Sequence, residues 1–141
     1  MTKQRFNTFK SYGVDSKWEL KLRDGVFQGV EYHPQKINYI KPETKHTYSP
    51  DWKLDTKYGT IFVEAKGRFR DRQEYTKYLH VREALLPTQT LVFLFMNPAT
   101  AMPGAKRRKN GTIRSHAEWA DGEGFAWYDE RTIVKLMEET R

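Results

Sequence analysis

The chain has 141 residues, enough for one domain with a real core and too few for two. It holds no cysteine, which excludes disulfide staples and thiolate zinc sites, and its longest apolar run, Leu91 to Met96, is far too short to cross a bilayer. Lysine and arginine total 25 against 18 acidic residues, and the formal charge of +7 suits a polyanionic partner without naming one.

Residues 1–13 are polar and basic and read as a flexible arm. They lack the apolar stretch of a signal peptide, so a cytoplasmic location is expected. A short helix is expected from Ser16-Lys17-Trp18-Glu19, with Val14, Trp18 and Leu22 on one stripe and Asp24-Gly25 as its stop. Val30 to Tyr39 reads as extended, and Pro34 and Pro42 assign it to an edge or an exposed connection. Ile40 to Thr47 has no apolar face and reads as a linker. Trp52 to Tyr58 carries turn chemistry ahead of a strand, Thr60 to Lys66, closed by Gly67. Arg70 to Leu86 reads as a helix that Pro87 ends, with Tyr75, Tyr78, Leu79, Arg82 and Leu86 roughly on one face. Thr90 to Met96 is an apolar run that fits a strand buried on both faces. Asn97 to Ser115 reads as a loop, Ser115 to Ala120 as a short helix, and Gly124 to Tyr128 as a last short strand. Asp129 would cap a terminal helix that turns Ile133, Leu136 and Met137 inward. The predicted order is α-β-β-α-β-α-β-α, a single α/β domain over 1–141 with a mixed sheet flanked by helices.

The chemistry gathers at Ser49-Pro50-Asp51 and Val63-Glu64-Ala65-Lys66. Side chains on a strand alternate faces, so Ile61, Val63 and Ala65 share one face while Thr60, Phe62, Glu64 and Lys66 share the other. Glu64 and Lys66 therefore stand side by side at a strand end. Phosphodiester hydrolysis needs such a set. A divalent metal neutralises the scissile phosphate and acidifies a bound water. Magnesium takes oxygen ligands and keeps several waters, so Asp51 and Glu64 can serve it, with Lys66 polarising the attacking water. An E-x-K on a strand is common as a plain salt bridge; it gains weight here from the preceding Pro-Asp and the closing glycine. The set resembles the motif of PD-(D/E)xK nucleases.

His46-Thr47-Tyr48-Ser49-Pro50-Asp51 followed by Gly59-Thr60-Ile61-Phe62-Val63-Glu64-Ala65-Lys66-Gly67 resembles the core motif of the bacteriophage endonuclease I family, the four-way-junction resolvases of podophages. The likeness continues at Gly29-Val30-Glu31-Tyr32, at Leu79-His80-Val81-Arg82-Glu83 and from Gly111 to Phe125, and so covers nearly the whole chain. It implies a restriction-endonuclease-like core and resolution of branched double-stranded DNA by paired nicks. It further implies Mg2+ or Mn2+ at about two ions per site, and no small-molecule cofactor. It also implies a homodimer that swaps N-terminal segments across an extended bridge, which residues 37–47 would form. The family carries a glutamate on its first helix. Glu19 matches it within S-x-x-E, the same pattern as a helix capping box, and Asp15 is the rival. With Asp51 and Glu64, Glu19 would complete the metal set, and Lys66 the catalytic one. The Asp51 to Glu64 spacing is a few residues longer than the family's.

Candidate DNA contacts are Arg68, Arg70 and Arg72 after the catalytic strand and the run Lys106-Arg107-Arg108-Lys109, each phosphate contact adding about 0.9 to the log-log salt slope. His46 fits a phosphate contact or a structural hydrogen bond. His33, His80 and His116 show no metal-ligand spacing and receive no role. Two other readings stay open: a mismatch, homing or restriction-like nuclease of the same superfamily, and a non-catalytic basic DNA-binding module.

Overall fold

The computed structural model describes residues 13–14, 16–41 and 44–140; residues 1–12, Asp15, Pro42, Glu43 and Arg141 lie outside the described residues, and with them nearly all of the expected basic arm. Helix α1 is Lys17–Asp24 and is followed by the strands β1 (Ile37–Lys41), β2 (Thr44–Tyr48), β3 (Trp52–Thr56) and β4 (Gly59–Lys66). Helix α2 (Arg72–Ala84), β5 (Gln89–Phe95), α3 (His116–Glu123), β6 (Trp127–Tyr128) and α4 (Thr132–Thr140) complete the chain.

Four strands form one sheet in the order β3-β4-β5-β6. The β3/β4 pair is antiparallel, while β4/β5 and β5/β6 are parallel, so the sheet is mixed as expected. The alternation read from the sequence holds. Phe62 faces one core with Leu91, Phe93 and Phe95, under α2 and α3. Val63 faces the other core with Val92 and Leu94, under α1 and α4. Gly59 fixes how closely β4 approaches β5. Its φ is +135°, and a Cβ there would sit 2.3 Å from the Thr88 carbonyl oxygen, which also accepts the Thr60 N–H at 2.9 Å.

The helices start where short polar side chains can cap them. Ser16 caps α1, Asp71 caps α2 and Ser115 caps α3, the last with a full capping box through Glu118. The Asp129 side chain accepts the N–H groups of Arg131 and Thr132 ahead of α4, and Ile133 and Met137 are buried as predicted.

Three sequence expectations change. The linker expected over Ile40 to Thr47 is mostly strand: β1 and β2 form an antiparallel hairpin, with Ile37 opposite Tyr48 and Tyr39 opposite His46. Its inner face buries Ile37, Tyr39 and Tyr48 in the core beneath α2, while Ile40 points outward. Of the extended stretch Val30 to Tyr39, the strand starts only at Ile37, and Tyr32 makes an isolated bridge to Trp52. The turn expected over Trp52 to Tyr58 is shorter, because Trp52 and Leu54 are both buried and pull residues 52–56 into β3.

One core group will respond to pH. His116 is fully buried against the rings of Phe69 and Phe95, and neither ring nitrogen has a hydrogen-bond partner. Burial, aided by the charges of Arg68 and Lys66, lowers its pKa from the usual 6.5 to about 4. The unfolded chain therefore binds the extra proton between these values. Stability from a neutral His116 is present above pH 6.5 and is lost as pH falls towards 4, a difference of about 3 kcal/mol. His116→Phe should remove this slope. Urea unfolding of parent and variant at pH 7 and pH 4.5 measures it, and equal pH dependence in the two would refute the assignment.

Candidate active site

Because β3 runs antiparallel to β4, the start of one meets the end of the other. Asp51, just before β3, and Glu64 and Lys66, ending β4, therefore come together at one edge of the sheet. Asp51 and Glu64 are buried, at 8% and 7% exposure. Asp51 is pinned to the neighbouring strand, its Oδ2 accepting the Ala65 N–H at 2.9 Å. Pro50 sets the backbone immediately before it.

Glu64 turns towards the α2 side. Its Oε1 accepts the Tyr48 hydroxyl, and its Oε2 lies 3.7 Å from Lys66 Nζ. Burial, with the adjacent Asp51 charge, raises the Glu64 pKa to about 8, against the opposing pull of Lys66 and Tyr48. Two carboxyl groups are thus crowded in a buried position beside a single lysine. Lys66 is held by a second acid, Glu74 of α2, at 3.2 Å, and lies over the Phe69 and Tyr78 rings at 5.8 and 5.5 Å. Burial works against its charge, but Glu64, Glu74 and Asp51 outweigh that and raise its pKa, so it stays an ammonium ion.

The first helix delivers Glu19 to the same place. Its Oε1 accepts the Ser16 hydroxyl at 3.0 Å and its Oε2 the Tyr32 hydroxyl at 2.5 Å. Ser16 also accepts the Glu19 N–H at 3.0 Å. The S-x-x-E pattern thus caps the helix and aims its carboxylate at once. Asp15, the rival position, lies outside the described residues. Among the described residues, one group of ligand-type side chains converges within 4.8 Å, namely Glu19, His33 and Asp51. Glu64 is not in that group. His33, given no role from the sequence, stands with Nε2 3.3 Å from Asp51 Oδ1. Spacing along the chain hid it, because the loop before β1 brings it back through His33 N–H to Asp51 C=O at 2.7 Å. Glu74 and Tyr48 were missed for a similar reason: nothing local marks a helix glutamate or a strand tyrosine as a neighbour of Lys66 or Glu64.

The candidate DNA contacts spread over the surface around α2. His46 lies on β2, within 2.6 Å of Thr44 Oγ1 and stacked on Tyr39, and lines a groove with Arg72, Lys77 and His80. Arg72 also borders a second groove, across the ridge that it forms with Thr76, with Lys106, Arg108 and Arg114. Arg70 is turned to Asp71 at 3.2 Å, and Arg68 is exposed. In the basic run, Arg108 pairs with Glu118 at 2.8 Å and Arg107 donates to the Gly111 carbonyl, while Lys106 and Lys109 project into solvent. No helix among the described residues is long and apolar enough to cross a membrane.

Comparison with known proteins converges on one group. The chain is 25% identical over 138 residues to Endonuclease I of Escherichia phage T7, covering 98% of this chain and 84% of that protein. It is 27% identical over 129 residues to Endodeoxyribonuclease 1 of Enterobacteria phage T3, covering 92% and 77%. The family model for phage endonuclease I matches residues 2–141, and the chain belongs to that family.

Proposed function

We propose that this protein is a structure-selective endodeoxyribonuclease that resolves four-way and other branched DNA junctions by metal-dependent hydrolysis. The observation that carries the reading is the convergence of Asp51, Glu19, Glu64 and Lys66 at one sheet edge on a chain of net charge +7. The names of the T7 and T3 relatives supply the endonuclease and the DNA. The pairing of an antiparallel β3/β4 unit with a parallel β5 supports a PD-(D/E)xK core.

Asp51 and Glu19 would hold a Mg2+ or Mn2+ ion, with Glu64 at its flank. Such an ion neutralises the scissile phosphate and acidifies a water bound to it. Lys66 places a fixed positive charge beside Glu64, where it orients the attacking water and offsets charge building on the phosphate. Glu74 holds the flexible lysine stem in that pose. Tyr48 steadies the Glu64 carboxyl from the far side. His46, Arg68, Arg70, Arg72 and the run Lys106 to Lys109 would meet phosphates around α2.

The active form is a homodimer, since two sites related by a two-fold axis suit a branch of the same symmetry. The segment carrying Glu19 joins the rest through the β1/β2 hairpin, whose strands Pro42 and Glu43 connect. Opening that hairpin would let β1 pair with β2 of a second copy, and Glu19 would then serve the second copy's Asp51. Residues 37–47 would form the bridge.

The test is cleavage of a synthetic four-way junction against a linear duplex of the same arms, with Mg2+, for the parent and Glu64→Gln. Paired nicks in the junction, a spared duplex and an inactive variant are expected. Cutting of both substrates would transfer the protein to the duplex nucleases of the superfamily. Junction binding without cutting would make it a binding module. Within the same assay, Glu19→Gln should reduce the rate by about a hundredfold or more, while Asp15→Asn should stay within about threefold. The reverse order would give Asp15 the role.

A further inference from the structure

We propose that His33 is a nitrogen ligand of the dication held by Glu19 and Asp51, which tilts this site from Mg2+ towards first-row transition dications such as Mn2+. The inference rests on the nuclease reading above and deepens it by naming the donor that sets metal preference.

Ligands cis to each other on an octahedral ion, at bond lengths of about 2.1 Å, stand about 3.0 Å apart, and trans ligands about 4.2 Å. His33 Nε2 and Asp51 Oδ1 are 3.3 Å apart, and the Glu19 ligand atom completes a set that fits within 4.8 Å. A small closure around an ion would make all three ligands. The backbone holds His33 for this. Its N–H donates to the Asp51 carbonyl at 2.7 Å, and its φ of +47° turns the side chain back at that residue. Its ring stacks on Tyr32 with centroids 4.0 Å apart, and the Tyr32 hydroxyl holds Glu19. The Tyr32-His33 pair therefore aims two of the three donors. Outer partners of this kind orient metal ligands generally.

Chemistry then decides the ion. Mg2+ demands oxygen ligands and octahedral geometry, whereas transition dications accept imidazole readily. A Glu-His-Asp set loses one oxygen relative to a set of carboxylates and gains one nitrogen. The competing account makes His33 a hydrogen-bond partner of Asp51 and nothing more. It predicts the opposite sign, because removing a group that occupies Asp51 would leave dication binding unchanged or stronger.

The test uses the full chain without DNA and Mn2+ as the probe. Spin-echo modulation from a directly bound nitrogen should appear in the parent at millimolar Mn2+. His33→Gly, which suits the positive φ, should abolish it and weaken Mn2+ binding by about tenfold, with Mg2+ binding changed less than threefold. Bound Mn2+ without nitrogen modulation, or modulation that survives in His33→Gly, overturns the inference. The parent spectrum needs no variant to fold. Asp51→Asn separates the two levels. If it loses Mn2+ while His33→Gly does not, only the inference falls. If Asp51→Asn binds Mn2+ like the parent, or the parent binds none, the metal site and the inference fall together.

Discussion

Asp51→Asn is expected to lower junction cleavage by about a thousandfold or more while junction binding stays equal or tightens. Such a loss corresponds to about 4 kcal/mol of transition-state stabilisation. The substitution is nearly isosteric. An asparagine oxygen can still accept the Ala65 N–H at the Asp51 Oδ2 position, so the sheet edge should survive. What disappears is the charge that faces Glu19 and His33, and with it the centre of the only converging ligand group among the described residues. Removing one negative charge from a site that must admit a phosphate also relieves repulsion, hence the unchanged or tighter binding. The burial of Asp51 sharpens both effects, because screening by solvent is weak there. Gel-shift titration without metal and single-turnover cleavage with metal measure the two arms. Turnover within tenfold of the parent would remove Asp51 from the site.

The part of the site carried by alternation on one strand was legible in the sequence. Glu64 and Lys66 had to share a face with Phe62, and they do, because side chains alternate along a strand even where, as here, both of its faces are covered. The helix pattern S-x-x-E pointed to Glu19, and the fold divides the work: the Ser16 side chain caps the helix by accepting the Glu19 N–H, while the Glu19 carboxylate accepts the Ser16 hydroxyl and does not cap the helix itself. Residues 37–48 were harder. Among the described residues there, Ile37, Tyr39 and Tyr48 alone are buried, so much of the hairpin carries no apolar period of its own and takes its strand form by lying against α2. His33 was invisible for another reason. A ligand supplied by a loop reaches its partners through a backbone hydrogen bond and a positive φ, neither of which leaves a spacing to read. Glu74 meets Lys66 only because α2 packs where Phe69 and Tyr78 allow, a tertiary fact.

Phe93→Ala is expected to cost about 3–5 kcal/mol, a large fraction of a total stability of about 5–15 kcal/mol. Phe93 is fully buried at the middle of β5. Its ring meets Tyr78 edge-on at 5.1 Å, Phe125 at 5.1 Å and Trp119 at 5.5 Å, and stacks on Phe95 at 5.5 Å. These rings come from α2, α3, the segment before β6 and β5 itself, so no single neighbour can move in to fill the hole. Rings also prefer the tilted and edge-on placements seen here, and each such pair adds about 0.5–1.5 kcal/mol beyond the area it buries. By contrast Leu86 is 61% exposed, and Leu86→Ala should stay within about 0.5 kcal/mol. Urea unfolding followed by tryptophan fluorescence compares the two, with Trp119 as a reporter inside the cluster. The consequence reaches the site, because Phe93 pairs in register with Glu64 and Phe95 with Lys66. The aromatic core is the wall that holds these two side chains at the sheet edge. Phe93→Ala should therefore lose cleavage through lost stability, with a lowered urea midpoint, whereas Asp51→Asn should lose cleavage at the parent's midpoint; a Phe93→Ala cost of about 1 kcal/mol or less, well below the usual range for aromatic truncation, would mean that the rings repack and that the wall is not rigid.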